Sequence, residues 1–389
     1  MSTAPQQPWL SPLAKCYVAL TFALILVGGM VTTSGAGMAF QTWPLSDGSV
    51  NPPGWTQNML KALEHSHRLI ATLTALITAV ICCALWKNWI ALAVGPITGA
   101  LAGLIAAKCG ATGAIASVIG MTANVLVFSV MLLLLSNPWS WRWRPSKDVF
   151  VTLEMKIARR REPRSTEQIL ALAAAWLVSL QAVLGGLRVL IEAHVSPESA
   201  IIFRVFHAIT AQAFLVLVVV LAARLSPVWG EFADASHKNA GKFRSMAVVL
   251  LGLYFAQLAC AAYLRHKGIG MLIPSWPAAQ PGSLLPVAWS HEIAIHFVHT
   301  RILPILIAGH VIGMAIGTAK RAASSPQFAR LARVGWALLA LVCVQFTLGV
   351  LVIWKVRQAH ITNTHVVVGA AFCATAALYF ARAGRLRAV

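Results

Sequence analysis

The chain has 389 residues, 58% of them hydrophobic and 11% charged, with a mean hydropathy of +0.74. Soluble globular chains are about 45–50% apolar and about 25% charged, so this composition excludes a soluble enzyme, a disordered protein and a nucleic-acid-binding domain. The formal net charge of +20 resembles a nucleic-acid footprint, but the basic residues cluster between long apolar runs. This is a polytopic membrane protein, and nucleic acid is not an expected partner.

About 20 mostly apolar residues are needed to cross about 30 Å of hydrocarbon. That criterion predicts ten spans: 13–33, 62–86, 89–107, 111–136, 168–190, 201–223, 245–264, 290–318, 333–354 and 362–381. The first follows a lone Lys15 with no Arg-rich stretch ahead of it, so it reads as a retained helix rather than a cleaved signal or transit peptide. The third and fourth are rich in Gly and Ala, and their stretch 95–120 is a candidate small-residue packing seam whose partner the sequence does not name. Of 7 Cys none forms a CxxC pattern, so neither a disulfide framework nor a zinc site is expected, and Cys82 and Cys83 read as core fillers.

Basic residues follow every second span. Segment 137–167 carries Arg142, Arg144, Lys147, Lys156, Arg159, Arg160, Arg161 and Arg164. Arg224, Lys238, Lys242 and Arg244 come next, then Lys320, Arg321, Arg330 and Arg333, and finally Arg382, Arg385 and Arg387. With ten spans all of these fall on one side, which makes that side cytoplasmic and puts both termini there. Anionic membrane lipid is an expected partner of this charge. The missing transit pattern favours a bacterial inner (plasma) membrane.

The chain carries an internal repeat. Residues 30–44 and 263–277 match at an offset of 233 and share the frame GxGMxxxxWP, placed each time just past a helix end. Gln181–Gly185 (QAVLG) pairs with Gln345–Gly349 (QFTLG), and His207 pairs with His365, each followed seven residues later by Phe (Phe214, Phe372). Three matches in the same order indicate duplication, a recurrent way to build membrane bundles. His67 and His207 are 140 residues apart but His299 and His365 only 66, an excess of 74 that fits two extra helices and a basic loop at 89–167. The expected fold is an all-α integral membrane protein: two pseudo-symmetric four-helix bundles with an inserted helical pair. Residues 1–224 form the N-terminal half, including the insertion, and 225–389 the C-terminal half.

Ionisable or ligating side chains inside spans are costly and usually functional. Four histidines fall at matched places: His67 in Glu64-His-Ser-His-Arg68, His299 in His296-Phe-Val-His-Thr-Arg301, and His207 and His365 on later helices. All four are predicted about 6–12 Å from the outer end of helices running inward, at 1.5 Å per residue. Two imidazoles at one depth on two helices of one bundle are what two axial ligands of a haem require. The plainer alternative for each is an interhelical hydrogen bond. His65, His194, His237, His266, His291 and His360 lie in or beside loops and need only water, while His296 and His310 are buried candidates without a matching partner. Arg68 and Arg301 are candidates for pairing haem propionates, or for snorkelling to outer headgroups. Glu64, one turn before His67, has no carboxylate counterpart, because the equivalent place holds His296. It suits proton transfer or stabilisation of positive charge on an oxidising substrate, and the plain alternative is an ion pair with Arg68.

ExxHR at Glu64–Arg68, the GxGxxxxxWP loops, the QxxLG turns and the four histidines together resemble the haem A synthase family of cytochrome oxidase assembly proteins. The resemblance covers nearly the whole chain except 89–167. It implies an eight-helix core that oxidises the C8 methyl of haem O to the formyl of haem A using a bound haem b. Carried over by position, it implies that His67 and His207 hold the substrate haem O, with Glu64 as the catalytic acid/base or charge-stabilising residue. His299 and His365 would ligate the cofactor haem b, with Arg301 beside it, and haem O synthase and cytochrome c oxidase become candidate partners. Three departures stand out: loop 34–61 has no Cys where some members carry a redox pair, the second motif reads HTR rather than HR, and the helical pair is outside the family core. The same ligands would also serve a dihaem cytochrome b-type electron-transfer subunit or a non-catalytic haem carrier.

Overall fold

Ten helices long and apolar enough to cross a membrane carry the chain in a computed structural model that describes residues 7–134, 164–191, 195–232 and 240–386. They are α1 (Leu10–Ser34), α2 (Met59–Trp86), α3 (Ala91–Lys108), α4 (Gly113–Leu134), α5 (Thr166–Ile191) and α6 (Pro197–Arg224). Then come α7 (Ala240–Lys267), α8 (His291–Phe297, a π-helical turn Val298–Ile302, and Leu303–Ala319), α9 (Pro326–Trp354) and α10 (Ala359–Arg385). The protein is an all-α integral membrane protein. Most helices overrun their predicted spans, because hydropathy registers only the hydrocarbon-crossing part whereas a helix begins at its cap. Ser196 and Ser325 accept the N–H of Ser199 and Phe328, each with proline at the first helical position, and Ser290 accepts that of Ile293. Most of the basic segment (Arg142, Arg144, Lys147, Lys156, Arg159, Arg160 and Arg161) lies outside the described residues, as do His194, His237, Lys238 and Arg387.

Two compact units divide the chain: Met1–Thr74 with Gln181–Val389, and Ala75–Leu180. This division follows compactness rather than repeat, and both repeat halves contribute helices to the first unit. The second unit contains α3 and α4, which pack directly on each other. A β-carbon on Gly99 would stand 2.6 Å from the carbonyl oxygen of Gly120, and one on Gly120 2.8 Å from that of Gly99. The glycine-rich stretch is therefore a seam between these two helices. Cys82 and Cys83 are fully buried in the same unit, and the Cys82 thiol donates to the Ala171 carbonyl at 3.1 Å.

The first unit shows the duplication as repeated contacts. In the second half α7, α8, α9 and α10 close a ring, each touching the next and α10 returning to α7. In the first half α1 contacts α6 as α7 contacts α10. The two halves meet through α1 on α10 and through α6 on α7 and α10. Small side chains allow that approach: Ala370, Ala374 and Ala377 of α10 bury Leu215 and Val219 of α6. The repeated phenylalanines are core residues, for Phe214 meets Tyr17 of α1 edge-on at 5.9 Å and Phe372 meets Tyr254 of α7 at 6.1 Å. At the end of these helices opposite the repeated histidines the basic residues converge on aromatic rings. Arg224 and Arg385 both lie over Trp229, Arg382 lies over Phe232, and Arg330 pairs with Glu231.

A side chain at Gly99 has backbone, not a flexible neighbour, in its way. Gly99→Leu is expected to cost about 1–3 kcal/mol through overpacking. The check is the thermal midpoint of the detergent-solubilised protein. Substitution at Gly113, which has nothing near its β-position, serves as the control.

Candidate functional site

All four repeated histidines lie in the first unit, near the starts of α2, α6, α8 and α10. His67, His207, His299 and His365 come eight, ten, eight and six residues after the first residue of their helices. At 1.5 Å per residue that is about 9–15 Å from the helix ends, a shared depth. Glycines on neighbouring helices make room for the rings. A β-carbon on Gly28 of α1 would lie 2.9 Å from Cε1 of His67, and one on Gly349 of α9 3.3 Å from Cε1 of His365. Gly185 of α5 stands 3.9 Å from Cε1 of His207 on the same measure. Gly185 and Gly349 end the two QxxLG segments, so that motif is explained: its glycine clears space for the imidazole of the next helix. Its glutamine reaches the same helix, Gln345 bonding the His365 ring at 3.3 Å and Gln181 donating to Thr210.

His207 lies within electrostatic reach of His67, and His299 within reach of His365. Each of the four rings keeps a buried Nδ1 with no hydrogen-bond partner in the protein. Buried polar atoms are nearly always satisfied; His296 shares an unpartnered Nδ1, but only these four recur at positions matched by the repeat. Among the described residues no cluster of three or more His, Cys, Asp or Glu forms a self-sufficient metal cage. Two paired imidazoles per bundle with glycine-lined clearance fit a planar metal macrocycle instead, since the ring supplies the remaining ligands and needs two axial donors.

Two loops lie at this end, one after α1 and one after α7. The pattern explains GxGMxxxxWP: Gly35 and Gly268 take φ of 72° and 78° to turn the chain off α1 and α7, positions where other residues are strained. The loops then repeat one another bond for bond. Thr42 and Ser275 donate to the carbonyls of Leu45 and Ala278, each at 2.8 Å. Arg68 Nη1 donates to the Thr42 carbonyl at 2.8 Å, and Arg301 Nη2 to the Ser275 carbonyl at 2.8 Å. The acceptors are related by the repeat offset of 233, and so are the two arginines, whereas His67 and His299 are offset by 232. The extra residue is Thr300. The π-helical turn Val298–Ile302 absorbs it, with the Leu303 N–H reaching back to the Val298 carbonyl. Arg301 thereby does the work of Arg68 despite the shifted motif.

The halves differ at Glu64. Glu64 is 4% exposed, and its carboxylate accepts the Phe40 N–H at 2.9 Å and pairs with Arg68. The ion pair offered by sequence as the plain alternative therefore forms, and both oxygens are engaged. His296, at the equivalent place, instead binds the Gly270 carbonyl at 3.1 Å. His65 departs from expectation: it is on α2, 3% exposed, bonded to Ser46 at 2.9 Å and set against Trp55 and Phe40, so it ties down the first loop. Its neighbour two residues on masked this, because HSH presents two histidines and only one matches the repeat. His266 lies on α7 among arginines, His310 bonds the Met246 carbonyl at 2.8 Å, and His291 and His360 are exposed at helix starts.

The chain matches the model of a family described as cytochrome oxidase assembly protein over residues 1–136 and 118–377. It is 34% identical over 113 residues to a protein named heme A synthase from Rhodospirillum centenum, a stretch covering 27% of this chain and 29% of that relative.

If Thr300 is the residue the π-helical turn absorbs, its deletion is expected to leave α8 regular and the second loop anchored, as in the first half. Arg301→Ala, by contrast, leaves the Ser275 carbonyl without its arginine donor and the Ala278 carbonyl with the Ser275 hydroxyl alone, at a cost of about 1–3 kcal/mol. Limited proteolysis of loop 268–290 checks both: wild-type resistance for the deletion, faster cutting for Arg301→Ala. Equal lability of the two variants would reject the repeat-restoring account of the turn.

Proposed function

Because the chain belongs to the haem A synthase family of cytochrome oxidase assembly proteins, we propose that it oxidises the C8 methyl of haem O to the formyl group of haem A, with haem b as resident cofactor. The observation that carries this reading is the duplicated pair of buried imidazoles at one depth, each with an orphaned nitrogen. His67 and His207 hold the substrate haem O, and His299 and His365 hold haem b. When bound, haem b supplies one-electron redox chemistry that side chains lack.

The protein's own part is positioning and charge. Glu64 stands one turn before His67 with both oxygens engaged, so it acts as a fixed negative charge rather than a mobile proton carrier. Such a group stabilises positive charge developing at the oxidised carbon. His296 cannot do this, which gives the two pockets different tasks. Arg68 and Arg301 act at one remove, by fixing the loops over the pockets. Trp43 packs its indole on α5 where Gly186 has no side chain, which holds the first loop against that helix. A dihaem electron carrier spanning the bilayer would set its ligand pairs at opposite ends, whereas all four imidazoles here lie at one. The loops face outward from the plasma membrane and both termini lie in the cytoplasm, a reading supported by the basic inner ends. Haem O synthase then supplies the substrate and cytochrome c oxidase receives the product.

Extracted-haem analysis of cells making this protein with a haem O synthase, in a host lacking haem A, is expected to show haem A. A folded, haem-loaded protein without that product overturns the activity. Glu64→Gln is expected to lower haem A output by roughly a hundredfold while haem remains bound, and undiminished output rejects its role. His299→Ala or His365→Ala is expected to strip the stable haem b spectrum from the purified protein. An unaltered spectrum reassigns the cofactor pocket.

A further inference from the structure

Arg68 and Arg301, the arginines next to the histidines in sequence, donate to loop carbonyls and to Glu64 or Thr300. A second set of arginines, which no motif singles out, reaches the same end of the first unit. Arg188, near the end of α5, stands over Gly37: a β-carbon there would meet both terminal guanidinium nitrogens at 2.7 Å. Arg357, just past α9, stands over Gly270 with its Nε 3.7 Å from the same position. Gly37 and Gly270 are the second glycines of the two GxG turns, related by the offset of 233. The arginines are not so related, since Arg188 follows Gln181 by seven residues and Arg357 follows Gln345 by twelve. Each half has thus recruited a guanidinium to the same glycine by a separate route.

In the second half this guanidinium has a cationic neighbour. Arg265, near the end of α7, lies within electrostatic reach of Arg357 and of His365. It is fixed where the halves meet, its Nη2 donating to the Gly29 carbonyl at 3.0 Å and to the Thr33 hydroxyl at 2.6 Å. His266, the next residue, lies within reach of Arg265, Arg188 and Arg204. The charged group that faces Arg265 is another cation, and like charges held together in a partly apolar site repel strongly unless an anion joins them. The positive-inside pattern gives no reason for arginines at this end. We propose that Arg265 and Arg357 form the carboxylate seat for the propionates of the porphyrin held by His299 and His365. The proposal rests on the haem reading above. Arg188 over Gly37 is the matching position for the first pocket.

The test is a titration of the full-length chain, made in a haem-deficient host, purified in detergent and carrying His67→Ala so that only the second pocket binds. Hemin and hemin dimethyl ester, whose propionates are neutralised, are compared by the Soret band of the bis-imidazole complex. Hemin is expected to bind about tenfold or more tightly than the ester, the worth of a charge-assisted contact. Arg357→Gln is expected to erase most of that preference by weakening hemin alone, and Arg357→Lys to restore part of it. Arg265→Gln is expected to do the same, but it also removes the donor to Gly29, so Arg357 is the primary site. Equal loss for hemin and ester in Arg357→Gln, as for an arginine pair that seats a lipid phosphate or only supports the loop, overturns the proposal, and so does absence of any ester discrimination. If hemin gives no bis-imidazole spectrum, or if His299→Ala keeps one, the haem reading itself fails and the seat falls with it. An intact spectrum without ester discrimination rejects the seat alone.

Discussion

A buried imidazole nitrogen with no partner costs about 1–3 kcal/mol, and this chain carries four at matched positions. Domains are stable by only about 5–15 kcal/mol in total, so four such atoms are a heavy load for a fold to keep without a purpose. Glycines at positions 28, 185 and 349 clear space beside the rings where a larger side chain would have filled the gap. A bundle built for stability alone would have replaced these histidines by leucines. The arrangement makes sense when something occupies the clearance and takes up the nitrogens.

Duplication fixes how that requirement is met. The second half repeats the first down to single bonds: a hydroxyl to a loop carbonyl at 2.8 Å, and an arginine to the carbonyl of the residue bearing that hydroxyl. The inserted Thr300 tests the strength of the constraint. An extra residue in a regular helix would rotate Arg301 by about 100° away from its loop, since each residue turns one part in 3.6 of a circle. The π-helical turn confines the disturbance to one turn and lets both His299 and Arg301 keep their stations. Where the halves do differ, at Glu64 and His296, each side chain still ties its helix to its own loop, one through the Phe40 N–H and the other through the Gly270 carbonyl. A change from carboxylate to imidazole therefore alters the charge offered to the pocket while preserving the anchoring.

Much of this was legible in the sequence, for identifiable reasons. Ten apolar runs, with a basic segment after every second one, give ten helices, because the bilayer leaves the backbone few alternatives. The histidines stood out because they interrupt apolar runs, and the repeat paired them. Hydropathy places the starts of α6 and α9 several residues late, because their Ser-Pro caps at Ser196-Pro197 and Ser325-Pro326 lie outside the apolar runs. Other features were not legible. His65 looked like a loop histidine because its burial depends on Ser46, Trp55 and Phe40, which join it only in three dimensions. The small-residue seam named no partner, since α3 and α4 each offer glycines that could face anything. Arg188 and Arg357 were invisible to motif comparison because they reach equivalent glycines from non-equivalent positions.

That last case says something about how such a site evolves. Residues that touch a loop through the backbone of their own helix are bound to the repeat offset, because moving them by one place turns them away. Arg68 and Arg301 are of this kind, and a shift of one residue required a change of helix geometry to absorb it. Long side chains that approach from the end of another helix have no such restriction. Arg357 sits in a turn where it and Val356 both take positive φ, at 57° and 49°, so its placement comes from the turn and not from helical register. Arg188 is still on α5 and reaches Gly37 by side-chain length. A guanidinium can therefore be supplied independently in each half, provided the bare glycine beneath it is retained. The glycine is the conserved member within this chain's own duplication, and the cation above it is the part each half found for itself.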